Sequence, residues 1–196
     1  MIREFLTELD DRWPDRKAAP IPLRLIGSTA LMLRANYVRI TKDADILHVQ
    51  ELTPEVCQRL TELAGQASEL ARRHNLYLEI VGAGLPFLPR TPLWREIPKM
   101  RLKHFEPRAL DVVDVVVSKL ARFNANDVHD IDAMIAQGLV PHRRLITRFR
   151  AAVEAYEMDS RADRLPIYIR RLHQIERDGF GAGPTNIEVP AGVASE

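Results

Sequence analysis

The sequence has a single cysteine, Cys57, among its 196 residues. One thiol forms no disulfide within the chain and supplies too few ligands for a thiolate metal cluster, so both of these devices for stabilising a small fold are excluded. The scarcity suits a reducing compartment, and we expect a cytoplasmic protein.

Long apolar segments are also missing. No run approaches the roughly 18 residues that a membrane-spanning helix needs. The N-terminal segment MIREFLTELDDRW is charged and amphipathic, without the apolar centre of a signal peptide. We therefore expect no membrane partner. With 46% hydrophobic and 28% charged residues, the composition is that of a globular protein able to bury a core.

The chain has little net charge, because 28 Lys and Arg oppose 27 Asp and Glu. The total therefore gives no argument for nucleic acid or membrane binding. The distribution is uneven, however, since residues 141–177 hold nine Arg against five acids and residues 178–196 hold three acids and no Lys or Arg. The arginines form either a solvated face or a groove for an acidic partner such as RNA.

Hydrophobic periodicity predicts an α/β (α+β) fold, with a small mixed sheet followed by a helical C-terminal part. We predict a core domain over 1–110, a helical part over 111–178 and a flexible Gly/Pro-rich tail over 179–196. Asp114 is the expected cap of the first helix of the helical part. The predicted elements are helices over 2–13, 29–36, 53 to about 74, 112–123, 126–137, 142–158 and 165–177, strands over 21–26, 41–49, 76–81 and 102–105 (the last at an edge), and a loop over 82–98.

Two acids lie two residues apart on the second predicted strand, in the segment TKDADILHV. If that strand extends from about Arg39, then Arg39, Thr41, Asp43 and Asp45 share one face. Neighbouring carboxylates repel each other unless a cation or a proton lies between them. Oxygen ligands of this kind suit Mg²⁺, which also takes phosphate oxygens as ligands. The alternative is a pair of solvated acids on an exposed strand face.

Gly27 and Ser28 lie between a predicted strand and a predicted helix. Glycine lets the backbone approach a ligand closely. The N-terminus of the helix offers free N–H groups to a phosphate, and the Ser28 hydroxyl adds a donor. The alternative is an ordinary strand-to-helix turn with a serine cap.

Taken together, the segment GSTALMLRANYVRITKDADIL resembles the signature of the nucleotidyltransferase superfamily, a Gly-Ser followed some residues later by Asp-x-Asp. The resemblance implies the mixed-sheet fold of that superfamily, an NTP substrate and Mg²⁺ held by Asp43 and Asp45. If the strand face is as described above, Arg39 is a further candidate for phosphate binding, and the alternative is a surface salt bridge to Glu51 or another acid. Superfamily enzymes often use a third carboxylate on the next strand, which makes Glu79 the candidate metal ligand and Asp111 the fallback. A solvated strand glutamate is the alternative for Glu79.

A second block, ALDVVDVVVSKLARFNANDVHDIDAMI, resembles the C-terminal motifs of the AbiEii-like branch of that superfamily, which includes bacterial toxin–antitoxin and abortive-infection nucleotidyltransferases. Lys119, Asp127 and Asp130 match the motif, and Asn126 stands where a basic residue is usual. The resemblance implies that these three residues contribute to nucleotide binding. Lys119 lies among apolar helix residues, and buried lysines are rare unless paired. It pairs with one of the two aspartates, or directs its ammonium at the triphosphate or the metal-site carboxylates, and the two interpretations can coexist.

The resemblance implies a Mg²⁺-dependent enzyme that moves a nucleoside monophosphate from an NTP to a hydroxyl of RNA, protein or a small molecule. The AbiEii-like block adds a possible toxin role and a cognate antitoxin as partner. Two alternatives stay open at this point. One is a non-catalytic nucleotide- or partner-binding module, and the other is an RNA-binding protein that uses the arginine-rich helices.

Overall fold

The computed structural model describes residues 1–14, 19–156 and 159–189. Within them the chain forms two compact units. The first unit comprises residues 1–85 and 94–111, and the second comprises residues 86–93 and the chain from Val112 onward. The elements in chain order are α1 (Ile2–Arg12), β1 (Ile21–Leu25), α2 (Gly27–Arg34), β2 (Asp43–Leu47), α3 (Pro54–Ala64), α4 (Glu69–His74), β3 (Tyr77–Val81), β4 (Trp94–Glu96), β5 (Phe105–Leu110), α5 (Val112–Arg122), α6 (Ala125–Ala136), α7 (His142–Ala155), a 3₁₀ turn (Ala162–Arg164) and α8 (Leu165–Phe180).

The first unit is built on a five-stranded sheet in the order β3-β2-β1-β5-β4. β1 runs parallel to β5 and antiparallel to β2, while β2 runs parallel to β3 and β4 runs antiparallel to β5. The sheet is therefore mixed, and the helices α5 to α8 follow it in the chain. The predicted fold class, a small mixed sheet followed by a helical C-terminal part, is confirmed.

The sheet directs its apolar side chains at helices of the same unit. In α1, Phe5, Leu6 and Leu9 are fully buried at helical spacing, and in β1 the same holds for Leu23 and Leu25. The core of the first unit therefore follows the periodicity of its elements. No helix within the described residues is long and apolar enough to cross a bilayer.

The long helix predicted from residue 53 to about residue 74 is two helices. Thr53 caps α3 as expected, because its side chain accepts a hydrogen bond from the Val56 N–H at 3.4 Å. α3 ends at Gly65, which has an extended backbone, and Ser68 begins α4 by accepting a bond from the Ala71 N–H at 3.0 Å. The apolar periodicity continues across the break between α3 and α4. The cap residue Ser68 is therefore the sequence feature that marks the start of the second helix.

The fourth predicted strand was placed wrongly. The strand begins at Phe105, where the prediction ended it, and it is an inner strand between β1 and β4. Pro107 lies within it, and a residue without an N–H ordinarily argues against an inner strand. The edge strand on that side of the sheet is β4, which is three residues long and lies within the segment predicted to be a loop.

The second unit packs α5 to α8 around apolar side chains. Phe87 meets Phe149 and Tyr156 edge-on, with ring centroids 5.4 and 4.9 Å away. Asp114 does not cap α5 as predicted. It lies inside the first turn, fully buried, where its carboxylate accepts bonds from the Leu93 N–H and from Arg148.

The chain after α8 has no regular structure through residue 189, yet side chains of the second unit hold it. The buried Glu176 accepts a bond from the Thr185 N–H at 2.9 Å and a second from the Thr185 hydroxyl. His142 Nε2 lies 2.8 Å from the same carboxylate, and Ile187 is buried. Residues 157–158 of the predicted seventh helix and residues 190–196 of the predicted tail lie outside the described residues.

We predict that Arg148→Ala destabilises the protein by about 3–5 kcal/mol, because it leaves the fully buried Asp114 carboxylate without its cation. Arg148 now binds that carboxylate through two contacts, at 2.6 and 2.7 Å. The measurement is the free energy of unfolding in urea. Arg150→Ala is the matched control. Among the described residues, exposed Arg150 donates to the Asn186 carbonyl alone, and its loss should cost about 1 kcal/mol. Equal costs for the two variants would contradict this account of Asp114.

Candidate active site

β2 places two carboxylates on one face of the sheet. Asp43 and Asp45 are half-buried, whereas the intervening Ala44 and the following Ile46 are fully buried on the opposite face. Strand alternation therefore makes one five-residue segment serve two purposes. Its apolar side anchors the strand in the core, and its acidic side is turned away from that core.

A third carboxylate comes from β3. In the parallel register of β2 and β3, Glu79 lies directly opposite Asp45. Ligand oxygens of Asp43, Asp45 and Glu79 all lie within 4.8 Å of one another. The fallback, Asp111, forms an ion pair with Arg95, with Nε 2.8 Å from Oδ2. The geometry thus favours Glu79 over Asp111 as the third member of the group.

The donor set of this cluster fits a hard divalent cation. All three groups are carboxylates, and Mg²⁺ prefers oxygen ligands and keeps several waters or phosphate oxygens in its shell. The negative charge of the cluster also affects the neighbouring Tyr77. Burial raises the pKa of its phenol, and the nearby Asp43, Glu79 and Asp45 raise that pKa further because they disfavour a phenolate.

Gly27 lies against the acids. Its φ is +60°, and a Cβ added there would lie 2.8 Å from Asp45 Oδ2. Both the left-handed backbone and the missing side chain are therefore required. The Ile26 N–H also donates to the Asp45 carbonyl at 2.9 Å, so the start of α2 is fixed beside the cluster.

Ser28 and Arg39 meet at the same end of the sheet. Arg39 Nη1 donates to Ser28 Oγ at 2.5 Å. β2 begins at Asp43, so the extension of this strand back to Arg39 was wrong. Arg39 reaches Ser28 from the connection between α2 and β2 instead. In that connection the Thr41 hydroxyl donates to the Asp43 carboxylate.

Lys119, Asp127 and Asp130 form a buried ionic cluster in the second unit. The Lys119 ammonium lies 2.8 Å from Asp127 Oδ1 and 2.7 Å from Asp130 Oδ2, and all three side chains are at most 4% exposed. Lys119 therefore makes the ion pairs with Asp127 and Asp130 that its structural interpretation predicts. A nucleotide-binding role for these three residues stays a prediction.

Arg122 is a member of this cluster that sequence reasoning missed. Its Nε and Nη2 donate to Asp127 at 2.7 and 2.8 Å, so two cations balance two carboxylates. Burial raises the pKa of Asp127, but the hydrogen bonds from Arg122 and Lys119 outweigh burial and lower that pKa to about 2. Asp127 also forms a capping box with Asn124 at the start of α6. The sequence spacing could have indicated Arg122, because it follows Lys119 by three residues on the same helix and so lies on the same helix face.

Comparison with known proteins gives one family. The family described as "nucleotidyltransferase of unknown function (DUF6036)" matches residues 2–178 of the chain. No curated protein matches the chain, and no solved structure matches it.

We predict that Asp127 makes stability depend on acid pH. Its pKa is about 2 in the folded protein and about 3.9 in an unfolded chain. The stabilisation is thus complete above about pH 4 and is lost as the pH falls from about 4 to 2, by about 2 kcal/mol. The measurement is the free energy of unfolding against pH for the wild type and Asp127→Asn. The variant should lack this part of the pH dependence, and identical profiles would contradict the assignment.

We also predict that Asp43→Asn leaves the melting temperature of the metal-free protein unchanged or raises it. The amide keeps the size of the side chain and removes one of three mutually repelling charges. Mg²⁺ should raise the melting temperature of the wild type and have little effect on the variant. The matched control is Asp11→Asn, an exposed carboxylate of the same unit paired with Lys103. That control should keep the response to Mg²⁺, and an equal response in Asp43→Asn would count against a metal site.

Proposed function

The chain belongs to this family of nucleotidyltransferases, and from that premise we propose that it transfers a nucleoside monophosphate from an NTP to an acceptor hydroxyl in a Mg²⁺-dependent reaction. Asp43, Asp45 and Glu79 hold the metal. Gly27, Ser28 and Arg39 bind the phosphates.

One observation carries this proposal, namely that the three carboxylates converge beside the Gly27 turn. A cluster of acids alone is common on protein surfaces. Here the acids lie against the beginning of an eight-residue helix, whose free N–H groups and positive dipole end favour phosphate. An anion site next to a cation site is the arrangement that a metal-bound triphosphate requires.

The chemistry follows from these positions. The acceptor oxygen attacks the α-phosphorus, a new P–O bond forms, and the bond to pyrophosphate breaks. Bound Mg²⁺ would supply positive charge against the charge that develops on the phosphorus centre and the leaving group. Glu79 is the exposed member of the three acids, and we assign to it the role of taking the proton of the acceptor hydroxyl. Ser28 and Arg39, already hydrogen-bonded to each other, hold the outer phosphates.

The second sequence block supports a finer placement in the AbiEii-like branch. Lys119, Asp127 and Asp130 stand at the motif positions of that branch and form one cluster. Membership would favour a macromolecular acceptor, a toxin role and a cognate antitoxin. The cluster also has a structural role, because its ion pairs join α5 to α6.

The proposal predicts that label passes from an NTP to an acceptor only when the acids are intact. Asp43→Asn and Asp45→Asn should each lose nearly all transfer. Removal of a metal ligand costs several kcal/mol of transition-state stabilisation, and each loss of about 1.4 kcal/mol lowers the rate tenfold. The double variant should be little worse than either single variant, because the ligands act as a unit.

The measurement is transfer from each of the four NTPs, in Mg²⁺, to the components of a cell extract. Asp11→Asn serves as the matched control and should transfer at the wild-type rate. Equal transfer by the wild type and the two site variants would rule out this mechanism. NTP–Mg²⁺ binding by the wild type without transfer would instead assign a non-catalytic nucleotide-binding module.

A further inference from the structure

A cavity of about 190 Å³ opens in the first unit at the end of the sheet that carries the acids. Its lining comprises two cations, two amides, a tyrosine and two apolar residues, namely Lys42, Arg72, Gln66, Asn75, Tyr77, Ala71 and Leu76. Charged and amide side chains thus line this hollow together with two apolar residues. This composition suits a small anionic group.

The cavity borders the carboxylate cluster through the ends of β2 and β3. Lys42 directly precedes Asp43, and Tyr77 lies opposite Asp43 in the β2–β3 register. The Tyr77 N–H donates to the Lys42 carbonyl at 2.8 Å, which fixes the backbone between the cavity and the acids. The cavity and the acids are therefore linked through the first residue pair of the β2–β3 register, Asp43 and Tyr77.

The two cations of the cavity are available to a ligand. Within the described residues, neither Lys42 nor Arg72 forms an ion pair, although Lys42 is adjacent in sequence to an acid. Arg72 donates through Nη1 to the Ala67 carbonyl at 2.9 Å. That bond orients the guanidinium and uses one of its five N–H donors.

The neighbouring Arg73 shows what an ordinary surface arginine does in this unit. It binds Glu8 at 2.6 Å and Glu69 at 2.7 Å, both on the exposed surface between α1 and α4. Two consecutive arginines of one helix thus differ. Arg73 is neutralised by carboxylates, whereas Arg72 lines a cavity to which the described part of the chain contributes no carboxylate.

The size of the cavity limits what it holds. Sites for drug-sized ligands usually measure about 300–1,000 Å³, so 190 Å³ is too small for a whole nucleotide. A single phosphate group fits better. Arginine binds phosphate through paired N–H donors, and lysine adds a point charge.

We propose that this cavity binds a phosphate of the acceptor, so that the acceptor is a phosphate-bearing chain such as single-stranded RNA, whose hydroxyl then lies near Asp43. The proposal rests on the proposed function for the identity of the site as an acceptor site. It distinguishes phosphate-bearing acceptors from sugars or protein hydroxyls, which offer the cavity no anion.

The test measures binding of a fluorescent RNA trinucleotide with a free 3′ hydroxyl, without NTP or Mg²⁺, by fluorescence anisotropy. The double variant Lys42→Met/Arg72→Gln should bind at least about tenfold more weakly than the wild type, and the salt dependence of binding should become shallower. The matched control, Arg73→Gln/Lys103→Met, removes the same charge from exposed sites of the same unit and should bind like the wild type. A trinucleotide with an uncharged methylphosphonate backbone should bind weakly to all three proteins.

Three outcomes would overturn the proposal: no binding of the RNA probe by the wild type, equal loss in both double variants, or tight binding of the uncharged probe. Melting temperatures of both double variants verify that each is folded. Because binding is measured without NTP, this experiment separates the cavity from catalysis. If the wild type binds the RNA probe but shows no transfer in the extract assay, the proposed enzymatic function is rejected and the phosphate site is retained.

Discussion

Coulomb repulsion among Asp43, Asp45 and Glu79 is the constraint around which the first unit is built. Their oxygens lie within 4.8 Å of one another, and like charges at such distances oppose folding unless a cation intervenes. The parallel pairing of β2 with β3 imposes the proximity. That pairing is secured by burial of the alternate residues Ala44, Ile46 and Leu78 on the other face. The hydrophobic core therefore sustains an arrangement that the charges alone would disperse.

The second unit handles buried charge in the opposite way. Lys119 and Arg122 neutralise Asp127 and Asp130 within the protein, and Arg148 neutralises Asp114. Each of these three carboxylates has a cation of the protein beside it. One chain thus contains carboxylates that are neutralised by cations of the protein and carboxylates that are grouped with one another. The grouped acids lie beside the Gly27 turn.

What the sequence could predict followed from local rules. The alternation in DADIL places Asp43 and Asp45 on one face without knowledge of any neighbour, and Thr53-Pro54 marks a helix start by chemistry within four residues. The features that were missed depend on distant partners. Asp114 has the signature of a cap, but Arg148, which is 34 residues away, takes its carboxylate into the core. The strand through Pro107 exists because β1 and β4 flank it, and the position of Glu79 beside Asp45 depends on a register that a crossover through α3 and α4 sets.

Gly27 has a consequence for how this chain can change over generations. Any side chain at residue 27 would have to adopt φ +60° and would also intrude on Asp45 Oδ2, an oxygen that a metal would need. The first restriction belongs to the backbone and persists in any descendant with this turn. The second vanishes once the acid at residue 45 is replaced by something smaller. Substitutions at the two positions are therefore coupled in order, and drift at residue 27 becomes easier only after the carboxylate has been given up. In a relative that keeps the glycine but has a different residue at position 45, the glycine would be retained for the shape of the turn alone. In relatives that keep both residues, the pair would be under joint selection.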